Sequence, residues 1–226
     1  MGRKCLYVLA AILVLVSLQA CSSKPEQSLL RSYFHALQLK DLATMASMAI
    51  EPMDIQAQSW KIVKSSPAKV EPATLPDLNK KEAELKKKLE EHVGVTLDAK
   101  DALDAATDTW KATRTGAAKK RMDDLQAEYD KIRAEHNDMQ KQYNDAKAEA
   151  AHEEEITKFS LGAGEVSNIR DLIGTVSSMN VEIQVVTKEG QNKNYEFDLR
   201  QYSLKDEAAN LNRKGRWIIV KITPLS

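Results

Sequence analysis

Four histidines and two cysteines carry most of the side-chain chemistry this sequence could support. Both cysteines, Cys5 and Cys21, fall within the first 21 residues. The rest of the chain therefore has no disulfide framework, thiolate zinc site or cysteine nucleophile. His92 and His136 stand apart, because each lies on an apolar stripe of helical spacing with a glutamate beside it, Glu91 and Glu135. Two imidazoles and a carboxylate can hold zinc at about 2.0–2.1 Å, which makes His92 and His136 the metal candidates. The preferred reading is plainer: polar residues in the seam of paired helices fix register while lowering stability. His35 falls with Arg31, Ser32 and Gln38, off the stripe of its own helix, as an ordinary surface histidine does. Asp198 and Glu196 alternate onto the strand face opposite Phe197. There is no Gly-rich phosphate loop, serine nucleophile elbow, HExxH or Cys–His cluster. No catalytic residue and no cofactor are assigned.

The 226 residues carry 33 Lys and Arg against 33 Asp and Glu, a formal charge of zero. A chain so balanced is a poor nucleic-acid binder. Only 5% of residues are aromatic while 29% are charged, a mixture that suggests surface-rich helix rather than one large core.

The N-terminus reads as an address. Met1-Gly2-Arg3-Lys4 is basic, and Leu6 to Leu18 is apolar apart from Ser17. That run is too short to span a bilayer, which takes roughly 20 residues. Leu18-Gln19-Ala20-Cys21 completes the pattern of a secretory signal with a small residue at the cut. The segment resembles a bacterial lipoprotein signal, with Leu18 and Ala20 placed as in a lipobox and Gln19 a less usual middle residue. The resemblance implies that Cys21 becomes the first mature residue and carries a thioether-linked diacylglycerol and an N-acyl chain. Acyl burial contributes about 0.8 kcal/mol per CH₂, and stable anchoring takes two or more chains. Ser22, rather than Asp, follows the cysteine, which implies the outer membrane, facing the periplasm. Removing residues 1–20 takes away Arg3 and Lys4, the only charges there, and leaves a net charge of −2. No basic patch then holds the mature chain to anionic lipid.

Residues 21–27 form a polar tether containing Pro25. Residues 28–49 look helical, with Leu30, Tyr33, Phe34 and Leu37 at three- and four-residue spacing and Asp41 capping a second short helix. Pro52, Pro67, Pro72 and Pro76 then exclude helix from most of the next stretch, within which residues 58–63 read as a strand.

Residues 77–158 are different material: 16 are Lys or Arg, 20 are Asp or Glu, and none is proline. Met122, Leu125, Tyr129, Ile132, His136, Met139, Tyr143, Ala146 and Ala150 alternate spacings of three and four. Leu103, Ala106, Trp110, Thr113 and Ala117 do the same, and Leu78, Glu82, Leu85, Leu89 and His92 continue it imperfectly. This is heptad repetition, the mark of a coiled coil. Its phase slips near Gly116, and a turn at Thr115-Gly116 gives arms of about 38 and 42 residues, the first roughly 57 Å long. Val93-Gly94-Val95-Thr96-Leu97 is a poor helical stretch where the first arm is expected to kink or break. Trp110, near the turn, reads as seam packing in preference to a contact anchor.

Beyond Phe159 the period changes to two. Gly162, Gly164 and Gly174 punctuate a loop. Val181, Ile183 and Val185 form a strand, Glu189-Gly190 a hairpin turn, and Tyr195, Phe197 and Leu199 the next strand. A polar connection over 203–214 leads to a last strand over 216–222, which is expected to be central. The fold class is α+β: a small antiparallel sheet packed on N-terminal helices (28–76 and 159–226), with a long antiparallel helical hairpin (77–158) inserted. The order of helix, strand and meander ending Gly215-Arg216-Trp217 is similar to the nuclear-transport-factor-two-like (cystatin-like) cone. Folds of that kind host many functions, so the resemblance transfers none.

The expected function is non-enzymatic: a lipid-anchored envelope protein whose hairpin contacts another envelope protein or a second copy of itself. The alternative is a small-ligand module or enzyme working from a pocket in the α+β body. Efflux adaptors also carry lipid-anchored hairpins, but no paired lipoyl pattern flanks this one.

Overall fold

Pro25 in the first turn and the stripe Leu30, Tyr33, Phe34 and Leu37 set the first helix, α1 (Pro25–Leu39). The computed structural model describes residues 24–162, 166, 168–206 and 210–225, so Cys5, Cys21, Ala163 and Gly164 lie outside the described residues. Lys40 ends α1 in the left-handed region, φ 58°. Asp41 then caps the short α2 (Leu42–Ala46), its carboxylate accepting from the Thr44 amide at 3.0 Å. The Thr44 hydroxyl and amide hold the Asp41 carboxyl below its ordinary range.

Among the described residues six strands follow: β1 (Ala57–Ser65), β2 (Lys69–Pro72), β3 (Ile173–Thr187), β4 (Asn192–Asp206), β5 (Leu211–Lys214) and β6 (Ile218–Leu225). Between β2 and β3 come α3 (Leu75–Thr113), α4 (Gly116–Leu161) and a short 3-10 turn, Ile169–Asp171. The chain divides into two compact units, one of residues up to 70, 176–202 and 215 onward, the other of 71–175 and 203–214. Among the described residues no helix is long and apolar enough to cross a membrane.

In the first unit the sheet order is β1-β3-β4-β6, and the pairings β1–β3 and β4–β6 are antiparallel. The β3–β4 turn is closed by the Thr187 amide on the Gln191 carbonyl at 2.9 Å, with Gly190 at φ 78°. Strict alternation buries Val181, Ile183 and Val185 from β3 and Tyr195, Phe197 and Leu199 from β4 against α1. Tyr33, Phe34 and Phe197 pack at centroid distances of 5.7 to 6.1 Å, and Phe34 stacks on Trp60 at 4.6 Å. Fully burying each such ring contributes about 1.5–3 kcal/mol.

The last strand departs from expectation. It begins at Ile218, leaving Arg216 and Trp217 outside it, and among the described strands it pairs with β4 alone. Its other side holds the chain after α2: the Ile219 amide donates to the Met48 carbonyl at 2.9 Å, and the Ile50 amide to the Ile219 carbonyl at 3.0 Å. Ile218 and Ile219 pair with the consecutive residues Arg200 and Leu199 and so face opposite sides of the sheet, and both are fully buried, Ile219 in the core with Leu199.

In the second unit α3 and α4 pair along their length. The turn falls where the phase slips, but Arg114, not glycine, takes the left-handed backbone at φ 50°, while Thr115 caps α4. The α3 helix runs through 93–97 without a break. Thr96 and Ala99 supply the missing steps between His92 and Leu103, so the heptads are continuous. The expected polar connection over 203–214 is instead the end of β4 paired with β5, Ser203 opposite Lys214. Gly174 is not loop punctuation either. It lies inside β3, where a Cβ would come within 2.1 Å of the Ser203 carbonyl oxygen.

Two substitutions test this packing. Gly174→Ala should destabilise the chain by about 2 kcal/mol or more, since the obstacle is backbone, read by urea unfolding. Tyr33 accepts inside the core, its hydroxyl taking the Met53 amide at 2.8 Å, and burial pushes its phenol from 10.0 up to about 12. The stability this contributes is complete below pH 10 and lost as pH rises through 12. Tyr33→Phe should cost about 1 kcal/mol at neutral pH and flatten the alkaline fall in melting temperature.

Candidate functional site

Heptad spacing on both arms dictates which polar side chains meet in the seam of the hairpin. The structure brings His92 and His136 together: their rings stack at a centroid distance of 5.7 Å, with planes 29° apart. His92 is nearly enclosed, its side chain 12% exposed, and its Nε2 lies 3.9 Å from a Glu135 carboxylate oxygen. The Thr96 hydroxyl donates to the His92 carbonyl at 3.0 Å and sits 3.3 Å from Nδ1. The direction of the Thr96–Nδ1 contact follows the ring's tautomer: a protonated Nδ1 donates to the hydroxyl oxygen, and a bare Nδ1 accepts from it. His136 Nδ1 is buried without a hydrogen-bond partner among the described residues. Glu91 points elsewhere, 3.8 Å from Lys87. Among the described residues no three His, Cys, Asp or Glu side chains converge closely enough to hold a metal ion.

The remaining sequence candidates are dispersed. His35 is on the surface. Asp198 accepts from Arg200 at 3.2 Å. Trp110 is half-buried beneath the Arg114 guanidinium, 5.0 Å from the ring centroid. Cys21 lies outside the described residues.

Three arrangements were not legible as sites. At the open end of the hairpin, Arg170 in the 3-10 turn bridges both arms, donating to Glu82 of α3 at 2.7 Å and to Glu154 of α4. Glu154 also takes Lys158, and these two cations hold its carboxyl below the ordinary range, Lys158 the more strongly. Midway along the hairpin, Val95, Ala99, Ala102, Leu125 and Ile132 line a groove of about 370 Å³ edged by Asp98 and Glu128. In the first unit a cleft of about 190 Å³ opens beside the end of α1, floored by Leu37, Met45 and Ala57 and flanked by Lys40, Asp54 and Lys188. No short motif joins residues as far apart in the chain as Lys40 and Lys188, and only the β3–β4 turn brings them to one cleft.

Chemically, the hairpin offers a polar layer and an apolar groove rather than a nucleophile with a base. A stacked, incompletely hydrogen-bonded imidazole pair in a seam lowers stability. Replacing both rings, His92→Leu with His136→Leu, should therefore raise stability by about 1–2 kcal/mol, measured by urea unfolding with helicity unchanged by circular dichroism. A fall in stability, matched by a fall in the parent chain on chelation, would point instead to a bound metal. Among known proteins, no family model, no curated sequence and no solved structure matches this chain.

Proposed function

We propose that this chain is a lipid-anchored envelope protein that works without catalysis, as an interaction or scaffold module through its helical hairpin. The observation that carries the reading is the groove between α3 and α4. Ala99 and Ala102 make a shallow floor, Leu125 and Ile132 remain half-exposed beside it, and Val95 is 49% exposed. A two-helix pair buries each seam residue from one side only, and a further helix laid along the groove would complete the burial. Heptad pairing of this kind is how helical partners recognise one another.

The anchor rests on the signal: a basic start, a short apolar run and Leu18-Gln19-Ala20-Cys21. An acylated Cys21 would hold the protein in membrane lipid, and Ser22 favours the outer membrane facing the periplasm. The balanced charge speaks against nucleic acid as a partner. Leaving out the hairpin, the order of α1, β1 and the meander of β3, β4 and β6 supports a body of the nuclear-transport-factor-two-like kind. The alternative, a small-ligand module or enzyme using the body, draws on the cleft at the end of α1.

Photo-crosslinking in intact cells tests the hairpin reading. A crosslinker at Val95 or Ala102 should capture one specific envelope protein or a second copy of this chain, and Leu125→Arg should abolish capture. Capture that occurs only from positions on the body, such as Lys61, would move the interface off the hairpin. Mass spectrometry finding a free thiol at Cys21 would remove the anchor.

A further inference from the structure

Helices commonly end on a residue in the left-handed conformation, and that residue is usually glycine. At the end of α1 it is Lys40, at φ 58°, with its amide on the Leu37 carbonyl at 3.1 Å. A side chain in this backbone region carries strain that the surrounding structure must over-determine. The strained lysine lines the cleft of the first unit.

The cleft has an apolar interior. Leu37, Met45 and Ala57 are buried in its floor, and Met53 and Ile55 form half-buried walls. Leu42 at its edge and Leu39 next to Lys40 are 68% and 66% exposed, so apolar surface continues outward. Lys188 reaches the same cleft from the turn after β3. Neither lysine makes an ion pair among the described residues. Asp54 is the acidic residue of the lining, so the cleft carries an excess of one positive charge.

Size narrows the occupant. A dry apolar cavity of about 150 Å³ accepts benzene, so about 190 Å³ accepts a chain of roughly six to eight carbons. A two-chain lipid does not fit. A cation would face two ammonium groups, and a neutral chain would leave both lysines unused. The cleft offers no guanidinium fork for a phosphate ester. We infer that it binds a free medium-chain carboxylate, with the aliphatic tail over Leu37, Met45 and Ala57 and the anionic head between Lys40 and Lys188. This site is separate from the hairpin groove and does not depend on the hairpin having a partner.

Methionine-methyl NMR on the full-length protein in lipid nanodiscs tests this, because Met45 and Met53 line the cleft while Met122 and Met139 lie on α4. Octanoate should shift the Met45 and Met53 signals saturably and leave those of Met122 and Met139 in place. Octylammonium at the same free concentration should shift none. Lys40→Gln with Lys188→Gln should weaken octanoate by about tenfold or more, as loss of charged donors does. The same charge change at Lys61 and Lys221 should leave its affinity essentially unaltered. All four lysines are exposed, so both double variants should fold. The proposal is overturned if octanoate produces no saturable shift, if octylammonium binds as well, or if the Lys40/Lys188 variant binds as the parent does.

Discussion

Register between α3 and α4 is the constraint on which the second unit depends. A slip by a part of a heptad would leave apolar side chains facing charged and polar ones over the paired length, whereas a slip by a whole heptad keeps apolar on apolar and must be resisted by side-chain size and specific polar contacts. Burial alone fixes register unevenly. Leu75, Ala146, Ala150 and Ile156 are almost wholly buried near the open end, whereas Met122, Leu125 and Tyr129 near the turn are only half-buried. The open end also carries the specific polar contacts. Arg170 reaches both arms, Thr74 donates to Glu153 at 3.1 Å, and Lys81 meets Glu149 at 3.0 Å. The last pair is more than half exposed and contributes little. The Arg170 pairs differ, with side chains only 30%, 15% and 18% exposed, and a guanidinium shared by two carboxylates is hard to move without leaving a charge unpaired. The lowered carboxyl of Glu154 means that its contribution is present at neutral pH and is lost as pH falls.

The first unit is held differently. Its core is aromatic and continuous: Tyr33, Phe34 and Phe197 touch one another, and Trp60 covers Phe34. The Tyr33 hydroxyl brings a polar group into that cluster, and it is satisfied by the Met53 amide. The bond ties the irregular chain after α2 to the core, so the segment that forms one wall of the cleft is positioned by a core residue. Lys40 is positioned by the helix end and Lys188 by the β3–β4 turn. The cleft is thus built from backbone features that do not depend on what fills it.

Local pattern carried most of the element list. Three- and four-residue spacing located α1, α3 and α4, alternation located the centres of β3 and β4, and Asp41 marked the start of α2. What failed was long-range. The end of β4 and the short β5 read as polar loop because Ser203, Lys205 and Asp206 lie where one side of the ladder is exposed, and pairing, not hydrophobicity, makes them strand. Lys69–Pro72 escaped for the same reason, its four residues all being exposed. Gly174 reads as punctuation because a glycine demanded by a neighbouring backbone looks, in one dimension, like any other. Of the candidate residues, His92 and His136 could each be placed in the seam by counting along two arms of known phase, and the structure brings their rings into stacking contact. The cleft could not, because nothing in a local pattern relates residue 40 to residue 188.

The stretch 93–97 fits neither local rule, and that bears on how the hairpin is read. Val93, Gly94 and Val95 are weak helix formers, and the helix continues through them nonetheless. A rod selected only to stand in water would carry charge at its outward positions, as the neighbouring turns do with Lys87, Glu91, Lys100 and Asp104. Here Val93, Val95 and Leu97 are 43%, 49% and 55% exposed instead. Fully burying such a side chain contributes about 1.5–3 kcal/mol, so three left half in water forgo several. The sequence gives up helix propensity and surface polarity over the same turn and a half, one residue of which, Val95, lines the open groove. Seam packing explains neither loss, because none of the three occupies the heptad positions that face α4. Helical geometry puts Val93 and Leu97, four residues apart, on one side of α3 and Val95 on the other. A helix laid in the groove would cover Val95 alone of the three, which is the physical reason for placing the crosslinker there.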